Sequence, residues 1–174
     1  MRVAIIVDTL RIGGAQKLVT TFVSAVYRQN IESTVISFGT NGAAVNLDLI
    51  RSAGAGVMIF QSRSLLDPGR LLRLVRFFRA EKFDLIHTHL SYANILGCVA
   101  GYYVGIPVVA TLHSTGPNPH RKSRLIAHLE TVILRYFARR IIAVGHTVAA
   151  ANRAQLGSRA VDVIPNGVPA PLPI

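Results

Sequence analysis

The sequence contains a single cysteine, Cys98, and no tryptophan among its 174 residues. One thiol inside an apolar segment cannot form a disulfide framework, and its isolation fits a reducing compartment. Cys98 has no basic neighbour that would activate it, so we interpret it as a buried packing residue rather than a nucleophile.

Acidic residues are also scarce, because eight Asp and Glu stand against nineteen Lys and Arg, which gives a formal net charge of +11. Strongly basic domains usually bind phosphate, whether in nucleic acid, anionic lipid or a nucleotide. Aromatic and basic residues are not interleaved here in the way that stacks bases, so we expect no nucleic-acid partner. The basic residues concentrate in two segments, 70–82 and 121–140.

Long apolar runs are few. The run 3–7 is too short for the apolar core of a signal peptide. The segment 90–112 has no charged residue and is long enough to span a bilayer, but Gly105 and Pro107 interrupt it. We interpret this segment as a buried helix, a turn and a buried strand, and a transmembrane helix is the alternative.

Apolar runs alternate with helical patterns along the whole chain, and 51% of the residues are hydrophobic. Strands that are apolar on both faces and alternate with helices are typical of a parallel sheet covered on both sides. The sequence therefore predicts an α/β fold, a Rossmann-like, doubly wound parallel sheet of about seven strands. Strands are predicted at 2–8, 33–38, 56–60, 83–89, 107–113, 140–145 and 161–165, and helices at 14–29, 45–53, 68–81, 91–104, 121–139 and 146–156.

Gly13 and Gly14 follow the first predicted strand and open the first helix. Paired glycines let a ligand approach main-chain N–H groups, and a helix N-terminus favours an anion. The pair is interpreted either as a contact for a diphosphate or acceptor phosphate, or as a simple strand-to-helix turn. A P-loop and a dinucleotide-binding fingerprint are both excluded, because neither glycine spacing is present.

Histidines collect at the predicted strand ends, where open α/β sheets bind ligands. His87 and His89 share one face of the fourth strand, and His113 ends the fifth. A neutral imidazole there can donate to a sugar hydroxyl, so His113 is the candidate catalytic residue. Zinc would need further ligands, for which Asp8 and His113 are the only candidates, so we expect polar lining of a substrate cleft and no metal. A hydrogen-bonded structural role is the alternative.

The predicted helix 68–81 is amphipathic. Its apolar face carries Leu71, Leu74, Val75 and Phe78, and its basic face carries Arg73, Arg76 and Arg79. The basic face is either simply solvated or lies against anionic lipid headgroups.

Taken together, the sequence resembles the N-terminal domain of family 4 glycosyltransferases, which are two-domain enzymes of the GT-B fold. The resemblance extends over the whole chain. It is carried by five motifs in order: Gly13-Gly14-Ala15-Gln16, Phe83-Asp84-Leu85-Ile86-His87-Thr88-His89, Thr111-Leu112-His113, Ala143-Val144 and Ile164-Pro165-Asn166-Gly167-Val168.

The resemblance implies a retaining transfer from a nucleotide-diphosphate sugar to a glycan or lipid-linked acceptor, with no cofactor and no required metal. It places the glycine pair near the donor phosphates and the acceptor, and His113 opposite the transferred sugar. The expected substrate-binding residues are Gly13, Gly14, His87, His89, Asn94, Asn166 and Gly167.

By the same resemblance, residues 1–168 form the acceptor-side domain and 169–174 begin an interdomain linker, with the C-terminal donor-binding domain absent. Such a half is expected to be inactive alone. Two positions depart from the family pattern, since Gln16 stands where Glu is frequent and Pro169 where Asp is frequent. A cytoplasmic location is expected, with peripheral attachment to the inner face of the membrane as a further hypothesis.

Two other classes stay open at this point. One is a non-catalytic flavodoxin-like or response-regulator-like module, and the other is a basic domain that binds a lipid or nucleic-acid surface. A response regulator needs an acidic cluster near the first strand and an Asp ending the third. Only Asp8 is suitably placed, and the third predicted strand ends in Phe60-Gln61.

Overall fold

The computed structural model describes residues 1–27, 29–39, 44–62, 67–116 and 121–167. Within these ranges seven strands alternate with six helices. The strands are β1 Arg2–Val7, β2 Glu32–Ser37, β3 Gly56–Ile59, β4 Leu85–His89, β5 Val108–Leu112, β6 Arg140–Ala143 and β7 Val161–Val163. The helices are α1 Gly14–Tyr27, α2 Ala44–Ser52, α3 Pro68–Glu81, α4 Ser91–Val104, α5 Arg121–Phe137 and α6 His146–Leu156.

All seven strands form one parallel sheet in the order β3-β2-β1-β4-β5-β6-β7. The predicted fold class is confirmed. The chain builds outward from β1 to β2 and β3, then crosses back to β4 and continues to β7. The strand order therefore reverses between β1 and β4, which is where folds of this kind open a ligand-binding crevice.

Helices cover both faces of the sheet, because alternate residues of each strand point to opposite sides. On β1, Val3, Ile5 and Val7 belong to the core cluster that includes residues of α1 and α2, whereas Ala4 and Ile6 belong to the cluster that includes residues of α3 to α6. Both sets are fully or almost fully buried. Burial on both faces explains why β1 is a continuous apolar run rather than an alternating one.

The uncharged segment 90–112 forms a helix, a turn and a strand, as predicted. Helix α4 ends at Val104 and is capped by Gly105, which has a φ of 78° and donates its N–H to the carbonyls of Gly101 and Tyr102. This left-handed position favours glycine. Among the described residues, no helix is both long enough and apolar enough to cross a bilayer.

Helix α3 shows the predicted separation of faces, with one addition. Asp67 caps its N-terminus by accepting from the N–H of Gly69, and Pro68 follows in the first turn. Leu74, Val75 and Phe78 are buried, Leu71 is partly buried, and Arg73, Arg76 and Arg79 are exposed. Arg70 joins the buried face at 1% exposure, which the apolar pattern does not predict.

Several element ends differ from the prediction by two residues; α5, for example, stops at Phe137 rather than 139. The N–H of Arg139 donates to the carbonyl of Val108, so the chain at this point already pairs with β5. Strand β4 begins at Leu85 rather than 83, and the Asp84 carboxylate just before it accepts from the N–H of Arg2.

Gly97 and Gly101 let α4 lie directly against the sheet. This close packing gives a testable prediction. A Cβ on Gly101 would stand 2.4 Å from Cγ2 of Val108 and 3.0 Å from the carbonyl oxygen of Ile106. Gly101→Ala should therefore lower the free energy of unfolding by about 1–3 kcal/mol in urea titrations, as overpacking does.

Gly14→Ala is the matched control, since nothing lies within 4 Å of its added Cβ. Its stability should be unchanged or up to about 1 kcal/mol higher, because alanine favours the helix. Equal effects of the two substitutions would contradict this account of α4 packing.

Candidate active site at the carboxyl edge of the sheet

The loop after β1 is held by two side-chain amides. Nε2 of Gln16 donates to the carbonyl of Thr9 at 3.0 Å. Nδ2 of Asn46 donates to the carbonyl of Leu10 at 2.8 Å, which anchors the loop to α2. Gly13 is exposed where this loop meets α1. The start of α1 is therefore fixed in position and open to solvent, an arrangement suited to an anion.

Three histidines form a cluster across β4 and β5. The ring centroids of His87 and His89 are 4.2 Å apart, and those of His89 and His113 are 5.3 Å apart. Nδ1 of His89 and Nε2 of His113 share a hydrogen bond of 3.0 Å. Nε2 of His87 is 2.8 Å from Oγ1 of Thr111 on the neighbouring strand. The sheet register therefore brings together the three histidines that the sequence singled out.

Burial keeps these imidazoles neutral. It lowers the pKa of His87 to about 4 and the pKa of His89 well below its usual value, with neighbouring histidines adding to the effect. Burial also lowers the pKa of His113, which is only partly buried. Because His89 occupies Nε2 of His113, only Nδ1 remains to meet a ligand. A neutral ring in that position suits a hydroxyl group better than a phosphate.

Asp8 is bonded to the first turn of α4. Its Oδ1 accepts from the N–H of Ala93 at 2.7 Å and its Oδ2 from the N–H of Tyr92 at 3.4 Å. Asp8 follows β1 directly, so this contact spans the position where the strand order reverses. Burial nevertheless raises the pKa of Asp8 to about 7, and Glu130 contributes in the same direction.

Glu130 of α5 is the second carboxyl group at this edge. Nδ2 of Asn94 donates to its Oε1 at 2.6 Å, and Oγ1 of Thr88 donates to Oδ1 of Asn94 at 2.6 Å. This chain of bonds ties β4, α4 and α5 together through a fully buried amide. Burial raises the pKa of Glu130, although hydrogen bonds from Ser91 and Asn94 oppose the shift.

A cavity of about 290 Å³ opens between the first turn of α4, the end of β5, and helices α5 and α6. Its polar walls include Asp8, Glu130, Asn94 and His113, and its apolar walls include Leu134. The volume lies near the lower end of ligand-binding pockets and suits one small group.

The predicted site residues divide into three groups. Asn94 and His113 line the cavity, and His87 and His89 are joined to His113 by the ring contacts above. Gly13 and Gly14 lie on the exposed loop at the start of α1. Asn166 and Gly167 are exposed after β7 and, like the glycine pair, lie outside the cavity lining.

Glu130 was missed by sequence reasoning. The available signal was that it is the only acidic residue in α5, in a chain with few acids. Among the described residues, no group of three or more His, Cys, Asp or Glu side chains could hold a metal ion.

The raised pKa of Asp8 predicts a pH dependence of stability. The folded state holds a proton that the unfolded chain releases between about pH 4 and pH 7, so the stability it gives is full below that range and lost as pH rises through it. Asp8→Asn keeps an acceptor for Ala93 but has no proton to lose. The free energy of unfolding of Asp8→Asn, relative to that of the wild type, should therefore rise between pH 4 and pH 7, by at most about 4 kcal/mol.

Urea unfolding at several pH values measures this difference. The neighbouring charges, Glu130 and Arg70, are present in both proteins. The buried histidines are also present in both, and their lowered pKa values make stability rise with pH, opposite to the effect of Asp8. Asp48→Asn makes the same change at an exposed position on α2. A wild-type-to-Asp8→Asn difference that stays constant with pH would contradict the prediction.

Known proteins resemble this chain in both sequence and fold. The sequence profile of Glycosyltransferase Family 4 matches residues 12–170. An Escherichia coli UDP-Gal:alpha-D-GlcNAc-diphosphoundecaprenol alpha-1,3-galactosyltransferase is 42% identical over 48 residues, which is 27% of this chain and 12% of that enzyme.

Crystal structures support the same fold. Anabaena HepE in complex with UDP-glucose has a TM-score of 0.78 and 22% identity, covering 97% of this chain and 44% of HepE. The lipopolysaccharide outer core galactosyltransferase WaaB has a TM-score of 0.69 and 13% identity, covering 97% of this chain and 46% of WaaB.

The chain thus spans less than half the length of these structures. Its seven-stranded parallel sheet matches the part of these structures that it covers, and a profile match across most of the chain displaces the flavodoxin-like and response-regulator-like alternatives. The chain belongs to glycosyltransferase family 4.

Proposed function

We propose that this chain is the acceptor-side domain of a retaining hexosyltransferase, which moves a sugar from a nucleotide-diphosphate sugar to a glycan or lipid-linked acceptor. The observation that carries the proposal is the neutral His113, held by His89 on the wall of a cavity at the carboxyl edge of the sheet. In a family 4 glycosyltransferase, that edge is where both substrates would meet.

The relatives support the choice of substrates. HepE was crystallised with UDP-glucose and with UDP, and the name of the E. coli relative gives UDP-Gal as its donor and a diphosphoundecaprenol-linked GlcNAc as its acceptor. A nucleotide-diphosphate sugar and a lipid-linked or glycan acceptor are therefore the substrates that we propose for this protein.

Each part of the edge would have a separate task. The open start of α1 at Gly13 and Gly14 would approach the donor phosphates through backbone N–H groups. Nδ1 of His113 would hydrogen-bond a hydroxyl of the transferred sugar and help to fix the reacting carbon. No metal and no cofactor are required in this scheme. A second, donor-binding domain would supply most of the nucleotide contacts, so the chain alone should be inactive.

A transfer assay tests the role of His113. The domain would be joined to the donor-binding half of a family 4 relative, and release of nucleotide diphosphate measured with acceptor present. His113→Ala should lower kcat by about 100-fold, because misplacing the reacting group by a small distance typically costs that much. His128→Ala, at an exposed position on α5, is the matched control and should leave kcat unchanged.

Full activity of the His113→Ala protein would contradict the proposed role. Calorimetry on the isolated chain tests the need for a second domain. Weak or undetectable binding of UDP-glucose is expected, and micromolar binding would contradict it.

We also propose that the protein attaches peripherally to an anionic membrane, with the inner face of the cytoplasmic membrane as the location. The exposed side of α3 presents Arg73, Arg76 and Arg79, next to Leu72, which is 50% exposed. Each arginine near an anionic surface contributes about 1 kcal/mol, so a few acting together could hold the domain reversibly.

Vesicle co-sedimentation tests this attachment. Binding is expected to anionic but not neutral vesicles, to weaken in high salt, and to fall about tenfold or more in the double variant Arg73→Glu with Arg76→Glu. Arg135→Glu with Arg139→Glu changes the net charge equally at exposed positions elsewhere. Equal losses in both double variants would show attraction to net charge rather than a docking face on α3.

A further inference from the structure

The cavity beside His113 is acidic in a strongly basic protein. Asp8 and Glu130, two of only eight acidic residues, both line it. Of the described residues, none of those lining the cavity is a lysine or an arginine, although the chain has nineteen. Two carboxyl groups and no described cation therefore line the cavity, whereas the rest of the protein is rich in lysine and arginine.

The helix end that faces the cavity is already occupied. The N-terminus of a helix usually offers its free N–H groups to an anion. On α4, however, the N–H groups of Tyr92 and Ala93 donate to the carboxylate of Asp8. A phosphate here would have to displace a carboxylate that belongs to the protein. By contrast, the start of α1 is exposed and nothing lies within 4 Å of a Cβ built on Gly14.

The remaining walls suit hydroxyl groups and a carbon ring. Asn152 and Thr131 provide partly exposed polar side chains, while Leu90 and Ile126 provide a partly exposed apolar surface. Carboxylates accept hydrogen bonds from hydroxyl groups, and sugar rings combine such hydroxyls with apolar C–H faces. Asn94 is held on both sides, by Thr88 and by Glu130, so this wall is rigid before any ligand arrives.

We propose that Asp8 and Glu130 make this cavity a subsite selective for an uncharged, hydroxyl-rich sugar ring of the acceptor. They hydrogen-bond ring hydroxyls, whereas a phosphate or carboxylate on the ring would find no described cation in the cavity, and the N–H groups of Tyr92 and Ala93 at the start of α4 already donate to Asp8. Any phosphate of the acceptor then stays outside the cavity. This proposal rests on the proposed function, because it assigns the cavity to the acceptor of the same reaction.

Binding to the isolated chain tests the selectivity without any turnover. The probes are methyl glycosides of glucose, galactose and N-acetylglucosamine, compared with glucose 6-phosphate and methyl glucuronide. Backbone amide chemical shifts report both the affinity and the location. At least one neutral glycoside should shift the amides of Tyr92, Ala93 and His113, and bind about tenfold or more tightly than the charged sugars.

Substitutions at the cavity wall should change the selectivity. Glu130→Gln, and separately Asp8→Asn, should lower the affinity for the neutral sugar several-fold. Each should also reduce the ratio of that affinity to the affinity for the charged sugars. Asp48→Asn changes the charge equally on α2 and should alter neither quantity. Thr131→Lys places a cation on a partly exposed wall position and should reverse the preference, towards glucose 6-phosphate. Amide spectra and urea unfolding confirm that each variant is folded.

Three results would overturn the proposal. They are equal affinity for neutral and charged sugars, shifts confined to the amides around Gly13 and Gly14, and no binding of any neutral glycoside. Each is distinct from failure of the proposed function, which would appear as absent transfer, or as full activity of the His113→Ala protein in the joined enzyme. A folded Glu130→Gln protein with unchanged selectivity would remove Glu130 from the subsite.

Discussion

The candidate site depends on the hydrogen bonds between the carboxyl group of Asp8, which follows β1, and the first turn of α4. It links the end of β1 to the helix that follows β4, across the position where the strand order reverses. A crevice at such a position would otherwise leave backbone N–H groups without partners. The Asp8 carboxyl group accepts hydrogen bonds from these N–H groups, and the cavity wall therefore includes a carboxyl group that is costly to ionise when buried.

Two neighbouring ionisable groups also affect the pKa of Asp8. The carboxyl of Glu130 lies close enough to raise the pKa of Asp8, whereas the buried guanidinium of Arg70 favours the ionised form. Arg70 itself packs over the ring of Phe38, with its guanidinium carbon 5.0 Å from the ring centroid, and donates to the carbonyl of Ser62. The ionisable groups buried at this edge of the sheet therefore influence one another's pKa values.

The sequence predicts the fold well because its signals are local. Apolar runs and capping residues such as Asp67 and Gly105 depend on near neighbours, so the thirteen elements of the described residues lie within two residues of their predicted bounds. The histidine cluster was also predictable, because the ends of parallel strands meet at one edge and three histidines occur there.

The rest of the site depends on contacts between distant residues, which no local pattern encodes. Glu130 reaches Asn94 over a separation of 36 residues, and Asp8 reaches Ala93 over 85. Arg70 looked like one more basic residue of α3, yet it is among the largest fully buried side chains. Burial of a charged group depends on partners from other elements. The roles of Asn166 and Gly167 stay predictions.

The amide of Gln16 has a consequence for the charge around the glycine pair. It holds the loop by donating to the carbonyl of Thr9, which a glutamate, the residue frequent here in the family, could not do when ionised. The loop is therefore fixed without placing a negative charge in the first turn of α1. If a diphosphate binds at that helix end, it meets the full positive field of the backbone, with no side-chain anion competing for the same N–H groups.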